Sequence, residues 1–243
     1  MAWWHAVVDS RHELQNPTSP EKILLLGEAL GLDESSRVLD IGAGRGGPAV
    51  LLAREFGCRI LCVEPWREFA DAIRERAQAA GVGHLVEVVE SKAQDFEIEA
   101  AGFDAALCIG ATFAFDGLVP TVEALARAVP PRGAIAVGEP FWREWPLPRD
   151  FELREDEGFL PLAETVDRFE SGGVELVALI TSSQDDWDRF ESLKWLTLDL
   201  WLAANPGHPQ AEEFRTEGRY RRDRHFRWRR DLMGWAIFVG RVP

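Results

Sequence analysis

Short apolar runs alternate with longer amphipathic segments over the first 140 residues of the chain. The runs are nearly continuous in apolar side chains, which is typical of parallel strands covered by helices on both faces. Strands separated by helices pair in parallel through right-handed crossovers. The pattern predicts strands over 37–41, 58–63, 85–90, 104–109 and 134–139, and helices over 21–30, 47–56, 66–80 and 118–128. We therefore expect an α/β protein with a doubly wound, mostly parallel sheet.

The regular alternation of apolar strands and amphipathic helices ends after residue 140. A helix is predicted from Asp156 to Phe169, a strand from Val174 to Ser182 and a last strand over 234–240. The polar and aromatic segment 184–230 separates the last two strands, and no linker signal marks its ends. One helical stripe within it carries Trp187, Phe190, Lys194, Trp195, Leu198 and Trp201. The sequence predicts a single domain, 1–243, with residues 184–230 inserted as a helical cap.

A glycine-rich turn follows the first predicted strand. Gly42, Gly44 and Gly47 form a G-x-G-x-x-G pattern, and Glu64 ends the next strand twenty residues after Gly44. Such a turn with a later acid indicates a nucleotide site in which the acid binds ribose hydroxyls. We therefore weigh a nicotinamide or flavin nucleotide against a ligand without phosphate.

Asp40 separates these two readings, because it places a carboxylate inside an apolar strand just before the turn. A buried carboxylate would repel a pyrophosphate and attract an ammonium group. S-adenosyl-L-methionine has an ammonium group, a ribose and no phosphate. It is the favoured cofactor, and a nicotinamide or flavin nucleotide stays the alternative.

The composition of the chain limits which classes of partner and ligand are expected. The net charge is −14, with 41 acidic against 27 basic residues, so a nucleic-acid substrate is disfavoured. Cys58, Cys62 and Cys108 fall in predicted buried strands and match no zinc pattern, so we expect no metal site and a reducing, cytoplasmic location. No signal-peptide pattern or transmembrane run is evident, and no membrane partner is expected. The oligomeric state stays open.

Taken together, these residues resemble class I S-adenosylmethionine-dependent methyltransferases over about residues 20–140. The turn resembles the family's first motif, and Glu64 resembles its second. A closer resemblance, to little-characterised bacterial small-molecule methyltransferases, rests on the segments 110–113, 138–142 and 187–196 together with His12 and Asn16-Pro17. The resemblance implies a seven-stranded Rossmann-like sheet of order 3-2-1-4-5-7-6, with strand 7 antiparallel.

The resemblance also implies where the cofactor is bound. The family commonly has Asp-Ala after the third strand to bind the adenine amino group, whereas this chain has Lys92-Ala93. A lysine cannot accept that hydrogen bond, so Asp95 or the backbone at Ala93 and Gln94 would take the role. The predicted cofactor-binding residues are Asp40, Gly42, Ala43, Gly44, Glu64, Pro65, Ala93, Gln94, Ile109, Gly110 and Thr112.

Transfer of a methyl group from a sulfonium is an in-line displacement, so the protein mainly positions the acceptor and in some cases removes a proton. Glu139, at the end of the fifth strand, and His12 are the candidate bases, although each could instead be structural. Several aromatic residues suggest an aromatic-walled pocket for a compact acceptor: Phe113, Phe115, Phe141, Trp142 and Trp145. The expected function is methyl transfer to a small molecule. A nucleotide-dependent oxidoreductase and a non-catalytic cofactor-binding sensor are the alternatives.

Overall fold

The fold is a seven-stranded sheet with helices on both faces. A computed structural model describes residues 2–154 and 157–243. The strand order is β3-β2-β1-β4-β5-β7-β6, and β7 runs antiparallel to both of its neighbours. The strands are β1 (Arg37–Ile41), β2 (Arg59–Val63), β3 (Val86–Val89), β4 (Ala105–Ile109), β5 (Ala134–Trp142), β6 (Glu175–Thr181) and β7 (Met233–Arg241). The predicted fold class and strand order are confirmed.

Among the described residues the helices are α1 (Ala2–Val8), α2 (Pro20–Leu30), α3 (Gly47–Phe56), α4 (Arg67–Ala79), α5 (Leu118–Ala128), α6 (Leu162–Ser171), α7 (Gln184–Ala204), α8 (Ala211–Arg224) and α9 (Arg230–Leu232). Ser19 caps α2 by accepting the backbone N–H of Lys22, with Pro20 in the first turn as predicted. Short 3₁₀ turns lie at Ala93–Asp95 and Thr112–Phe115.

Alternation along the strands divides the core into two layers. On one face of the sheet, Val38 and Leu107 pack with side chains of α2, α3 and α4. On the other face, Leu39 and Ile41 pack with side chains of α5 and α6. The three cysteines are buried and free. No helix of residues 2–154 or 157–243 is long and apolar enough to cross a membrane.

A helical layer covers the carboxyl-end side of the sheet. The insertion between β6 and β7 comprises α7, α8, a π-helical turn at His225–Arg229 and α9. It packs against α1, which the sequence analysis did not predict, through a small core of Trp4, Val7, Val8, Leu198 and Phe214. The N-terminus and the insertion therefore form one structural layer.

Two predicted boundaries are wrong. The helix placed at Asp156–Phe169 starts at Leu162, because Pro161 precedes it and the chain from Glu157 to Leu160 is irregular. Asp156 itself lies outside the described residues. Strand β5 continues past Glu139 to Trp142, because β7 pairs with it along its whole length. Pro140 is tolerated there since β4 pairs with β5 only as far as Gly138.

Candidate active site

The glycine-rich turn needs glycine for both conformation and space. Gly42 and Gly44 have φ values of 70° and 57°, a region that other residues rarely adopt. A Cβ on Gly42 would lie 2.5 Å from the Cβ of Ala111, after β4. A Cβ on Gly47 would lie 2.1 Å from the carbonyl oxygen of Glu13. The turn is thus pressed between the β4 loop and the N-terminal chain.

The segment that covers the turn, residues 12–16, is called the strap here. The Gln15 side-chain oxygen accepts a hydrogen bond of 3.0 Å from the backbone N–H of Arg45. The Asn16 amide donates to the carbonyl of Ile109, at 2.9 Å. These two bonds hold the strap across the carboxyl ends of β1 and β4.

Asp40 is a buried carboxylate beside the turn, with only 2% of its surface exposed. Its Oδ2 atom has no hydrogen-bond partner among the described residues. Burial, with a further contribution from the charge of Glu64, raises the pKa of Asp40 to about 7. An oxygen in this state would be stabilised by a cationic ligand group, because pairing would offset the cost of burying the charge.

Glu64 follows β2 and turns its carboxylate toward the glycines. Its two oxygens accept backbone N–H bonds from Gly44, at 2.9 Å, and from Trp66, at 3.1 Å. Burial raises its pKa, and these two bonds only partly oppose the rise. Each carboxylate oxygen keeps further acceptor capacity, so the group can still bind vicinal hydroxyls.

A cavity of about 570 Å³ opens at the carboxyl ends of β1, β2 and β4. Its volume is in the range of small-molecule and cofactor sites. The floor of the cavity is formed by residues at the strand ends: Gly42, Gly44, Val63, Glu64, Pro65, Ile109, Gly110 and Ala111. One side is lined by Trp66, Phe69, Lys92, Ala93, Gln94, Phe113 and Ala114. The roof is formed by residues of the N-terminal segment and of α7: His5, Ala6, Asp9, Gln15, Asn16, Phe190 and Lys194.

Residues 38–133 match the family of methyltransferase domains. The uncharacterised protein YjhP of Escherichia coli is 31% identical over 96% of this chain and 95% of its own. A solved structure of similar fold is an S-adenosylmethionine-dependent methyltransferase of Thiobacillus denitrificans, crystallised with S-adenosyl-L-homocysteine. Its sequence is 33% identical to this chain, and the two structures superpose with a TM-score of 0.88 over 98% of this chain and 97% of that one. An S-adenosylmethionine-dependent methyltransferase of Geobacter sulfurreducens, crystallised with the same ligand, is 32% identical. Its TM-score is 0.89 over 99% of this chain and 98% of that one.

The chain belongs to the S-adenosylmethionine-dependent methyltransferases. The methyltransferase fits this cofactor at three points. Asp40 offers an unpartnered buried oxygen, Glu64 offers further acceptor capacity, and Gly42 and Gly44 of the turn line the cavity. S-adenosyl-L-methionine as cofactor, and the enzymatic class, agree with the sequence analysis.

The structure brings most of the predicted cofactor residues of this methyltransferase to one cavity: Gly42, Gly44, Glu64, Pro65, Ala93, Gln94, Ile109 and Gly110. Asp40 and Ala43 instead line a void of about 30 Å³ between the strap and the turn. That void shares Gly42 and Gly44 with the cavity, so Asp40 lies behind the turn. Lys92 lines the cavity, and the Gln94 amide donates to the carbonyl of Ala114. Asp95, the other candidate for the adenine contact, is not among the lining residues.

Thr112 and Glu139 lie together outside that lining. The Thr112 hydroxyl donates to the Glu139 carboxylate at 2.9 Å. Burial raises the pKa of Glu139 to about 7, and the bond from Thr112 only partly offsets the rise. Glu139 is therefore a titratable group near neutrality, placed behind the loop that follows β4.

His12 is buried and tied to the insertion. Its Nε2 donates to the carbonyl oxygen of Phe190 at 2.9 Å, and its ring packs edge-on against that of Phe190. Burial lowers its pKa. His12 lines a second cavity, of about 670 Å³, on the other side of the strap.

The aromatic wall differs from the one expected. Phe113 lines the cavity, but Phe141 and Trp142 are buried in the two core layers because β5 continues through them. Trp145 is exposed, and Phe115 packs against the second layer. The other aromatic lining comes from Trp66, Phe69 and Phe190, of which only Phe190 belongs to the predicted stripe.

Sequence reasoning also missed the roof residues of α1. His5 and Asp9 are four residues apart, which places them on one helical face, and that spacing was the available signal. Among the described residues, no cluster of His, Cys, Asp and Glu could hold a metal ion.

Proposed function

We propose that this methyltransferase transfers the methyl group of S-adenosylmethionine to a small-molecule acceptor bound between the glycine turn and the helical roof. The observation that carries the proposal is the placement of Asp40 and Glu64 on either side of a turn that only glycine can form. When bound, the cofactor supplies a methyl group on a sulfonium, which an acceptor takes by in-line displacement.

Different residues of the site would bind different parts of the cofactor. Asp40 would stabilise the ammonium end from behind the turn, and Glu64 would accept the ribose hydroxyls. Lys92, Ala93 and Gln94 line the side beside Trp66, where an adenine ring would stack. Because Lys92 only donates, the adenine amino group would be bound by a backbone carbonyl on this side.

The acceptor is proposed to be small because the cavity has a roof. Helix α1 covers it with His5 and Ala6, Asp9 follows directly after that helix, and helix α7 contributes Phe190 and Lys194. A net charge of −14 argues further against a nucleic-acid acceptor. A cytoplasmic location stays a prediction, supported by three free, buried thiols.

The bases predicted from sequence, Glu139 and His12, stay predictions. The raised pKa of Glu139 supports it, but neither Glu139 nor Thr112, which donates to its carboxylate, lines the cavity. The single donor of neutral His12 is used by the Phe190 carbonyl, which leaves Nδ1 toward Asp9 at 4.0 Å.

Calorimetry tests the cofactor site. S-adenosyl-L-homocysteine should bind and NAD should not, and the nicotinamide fluorescence of a fixed amount of NADH should stay unchanged when the protein is added. Methyl transfer is then sought by mass spectrometry in pools of small molecules incubated with isotopically labelled S-adenosylmethionine. Binding without any labelled product would favour the sensor, and binding of NAD in place of S-adenosyl-L-homocysteine would favour the oxidoreductase.

A further inference from the structure

Helix α1 presents two faces to different surroundings. Trp4, Val7 and Val8 pack into the small core shared with α7 and α8, where the Trp4 ring meets that of Phe214 edge-on at 5.4 Å. His5 and Asp9, the latter just after the helix, line the cavity instead. The apolar face thus fixes the position of the polar face above the cofactor site.

His5 and Asp9 form a hydrogen-bonded pair in this roof. The distance from His5 Nδ1 to Asp9 Oδ2 is 2.8 Å. Burial would raise the pKa of Asp9, but the bond from His5 and the positive charge of Lys194 outweigh it, and the pKa is lowered. Asp9 is therefore ionised at neutral pH, and an ionised carboxylate can only accept.

This pairing fixes the tautomer of His5. Because Asp9 accepts, Nδ1 carries a proton, so the uncharged form of His5 keeps its lone pair on Nε2. Nε2 makes no hydrogen bond to any described residue, and His5 is half exposed. An imidazole oriented by a carboxylate, with its second nitrogen free of hydrogen bonds to the described residues, has the arrangement required of a general base.

Other charged groups surround the pair. Lys194 of α7 lines the cavity, with its Nζ 3.2 Å from the Glu191 carboxylate and 3.9 Å from the centre of the Phe190 ring. Arg221 of α8 and Arg229, in the π-helical turn, line a small void of about 30 Å³ together with His5. Positive groups thus balance Asp9 and Glu191.

We propose that His5 is the general base of the methyl transfer and that Asp9 positions it. The acceptor then carries a removable proton on its nucleophilic atom, as a hydroxyl, a thiol or an uncharged primary or secondary amine does. The proposal rests on the proposed function. The acceptor atom forms its bond to carbon while the sulfur–carbon bond breaks, and sulfur keeps that electron pair. The proton of the acceptor passes to Nε2 and then to solvent through the exposed side of the ring.

Geometry favours His5 over the two bases predicted from sequence. His5 lines the cavity, whereas Glu139 does not, and His12 lines the cavity beyond the strap. The remaining nitrogen of His12, Nδ1, is buried and lies 4.0 Å from Asp9, whereas His5 is half exposed and lines the cavity.

The test compares His5→Gln with His84→Gln, since His84 is exposed and lines neither cavity. Gln keeps a hydrogen bond to Asp9 but cannot take a proton at neutral pH. With an acceptor found by the mass-spectrometric screen, His5→Gln should lower kcat about 100-fold or more. S-adenosyl-L-homocysteine affinity should stay within about twofold of wild type, and His84→Gln should behave as wild type.

Asp9→Asn provides the second variant, with nuclear magnetic resonance of ¹⁵N-labelled imidazoles as a readout that needs no acceptor. The wild type should show His5 with its proton on Nδ1, and Asp9→Asn should shift the population toward Nε2–H and lower kcat.

Turnover of His5→Gln within about threefold of wild type would overturn the assignment. So would loss of S-adenosyl-L-homocysteine binding in that variant, or an Nε2–H tautomer in the wild type. Absence of any methyl transfer by the wild type would instead contradict the proposed function, and the tautomer would still decide whether Asp9 orients His5.

Discussion

Glu64 accepts a hydrogen bond, 2.9 Å long, from the backbone N–H of Gly44. The acid at the end of one strand therefore supports the turn that follows its neighbour, and it does so with the carboxylate assigned to the ribose. We therefore expect cofactor binding and the stability of the turn to depend on the same side chain.

Substitution of Glu64 should consequently weaken cofactor binding. Glu64→Ala removes charge-assisted hydrogen bonds, and we expect S-adenosyl-L-homocysteine to bind about 1–3 kcal/mol more weakly by calorimetry. The matched control is Glu68→Ala, because Glu68 is an exposed acid in the first turn of α4. Unchanged affinity of Glu64→Ala would remove this residue from the site.

Asp40 should make stability depend on pH. Its pKa of about 7 lies above the ordinary value, so the protonated form is favoured in the folded state. Its ionisation destabilises the fold as pH rises from about 4 to 7, and the full cost is present above that range. Asp40→Asn should therefore gain about 2–3 kcal/mol more stability, relative to wild type, at pH 8 than at pH 5.

Denaturant unfolding at the two pH values measures this difference, with Asp199→Asn, an exposed acid of α7, as the control. The same Asp40→Asn variant should lose affinity for S-adenosyl-L-homocysteine. A stability difference independent of pH would contradict the burial of a titrating carboxylate.

Gly47→Ala tests the strap. The new Cβ would lie 2.1 Å from the Glu13 carbonyl, so the strap must move although alanine suits a helix. Overpacking of this kind costs about 1–3 kcal/mol of unfolding free energy. Gly207→Ala, which meets no atom within 4 Å, should change stability little. Wild-type stability in Gly47→Ala would mean that the strap does not press on the turn.

Glu139→Gln should have a smaller effect on turnover than His5→Gln. The amide can still accept from the Thr112 hydroxyl, and the loop after β4 keeps its position. Steady-state kinetics on an identified acceptor should give a kcat within about tenfold of wild type. A loss on the order of 100-fold or more, with cofactor affinity kept, would make Glu139 the base.

The cap formed by residues 184–230 and the N-terminal 19 residues should become more protected when the cofactor binds. Its internal core is small, and the strap contacts the sheet through few side-chain bonds. Hydrogen exchange with and without S-adenosyl-L-homocysteine measures the change, with α5 as an internal reference. Equal protection in both states would indicate a rigid cover.

The parts of the site that could be predicted from sequence are those specified locally. Asp40, the glycines and Glu64 are read from one strand–turn–helix unit and the strand after it, where each residue's chemistry follows from its position. The roof depends on contacts between residues nearly 180 positions apart, such as His12 with Phe190, and no local pattern reports these.

Phe141 and Trp142 are assigned wrongly from the sequence because their position also depends on a contact distant in sequence. Their position after Glu139 suggested a pocket wall, but pairing with β7 keeps both in the sheet and turns them into the two core layers. A strand's end is set by its partner as well as by its own residues.

The strap has a consequence for the order of events in a catalytic cycle. Gln15 accepts from the backbone N–H of Arg45, Asn16 donates to the carbonyl of Ile109, and both residues line the small void beside Asp40. We therefore expect the donor to bind before the acceptor, which would then enter a compartment that the bound donor helps to form. After transfer, the spent donor is the product held beneath the strap, so its departure is expected to limit the cycle and its accumulation to inhibit it.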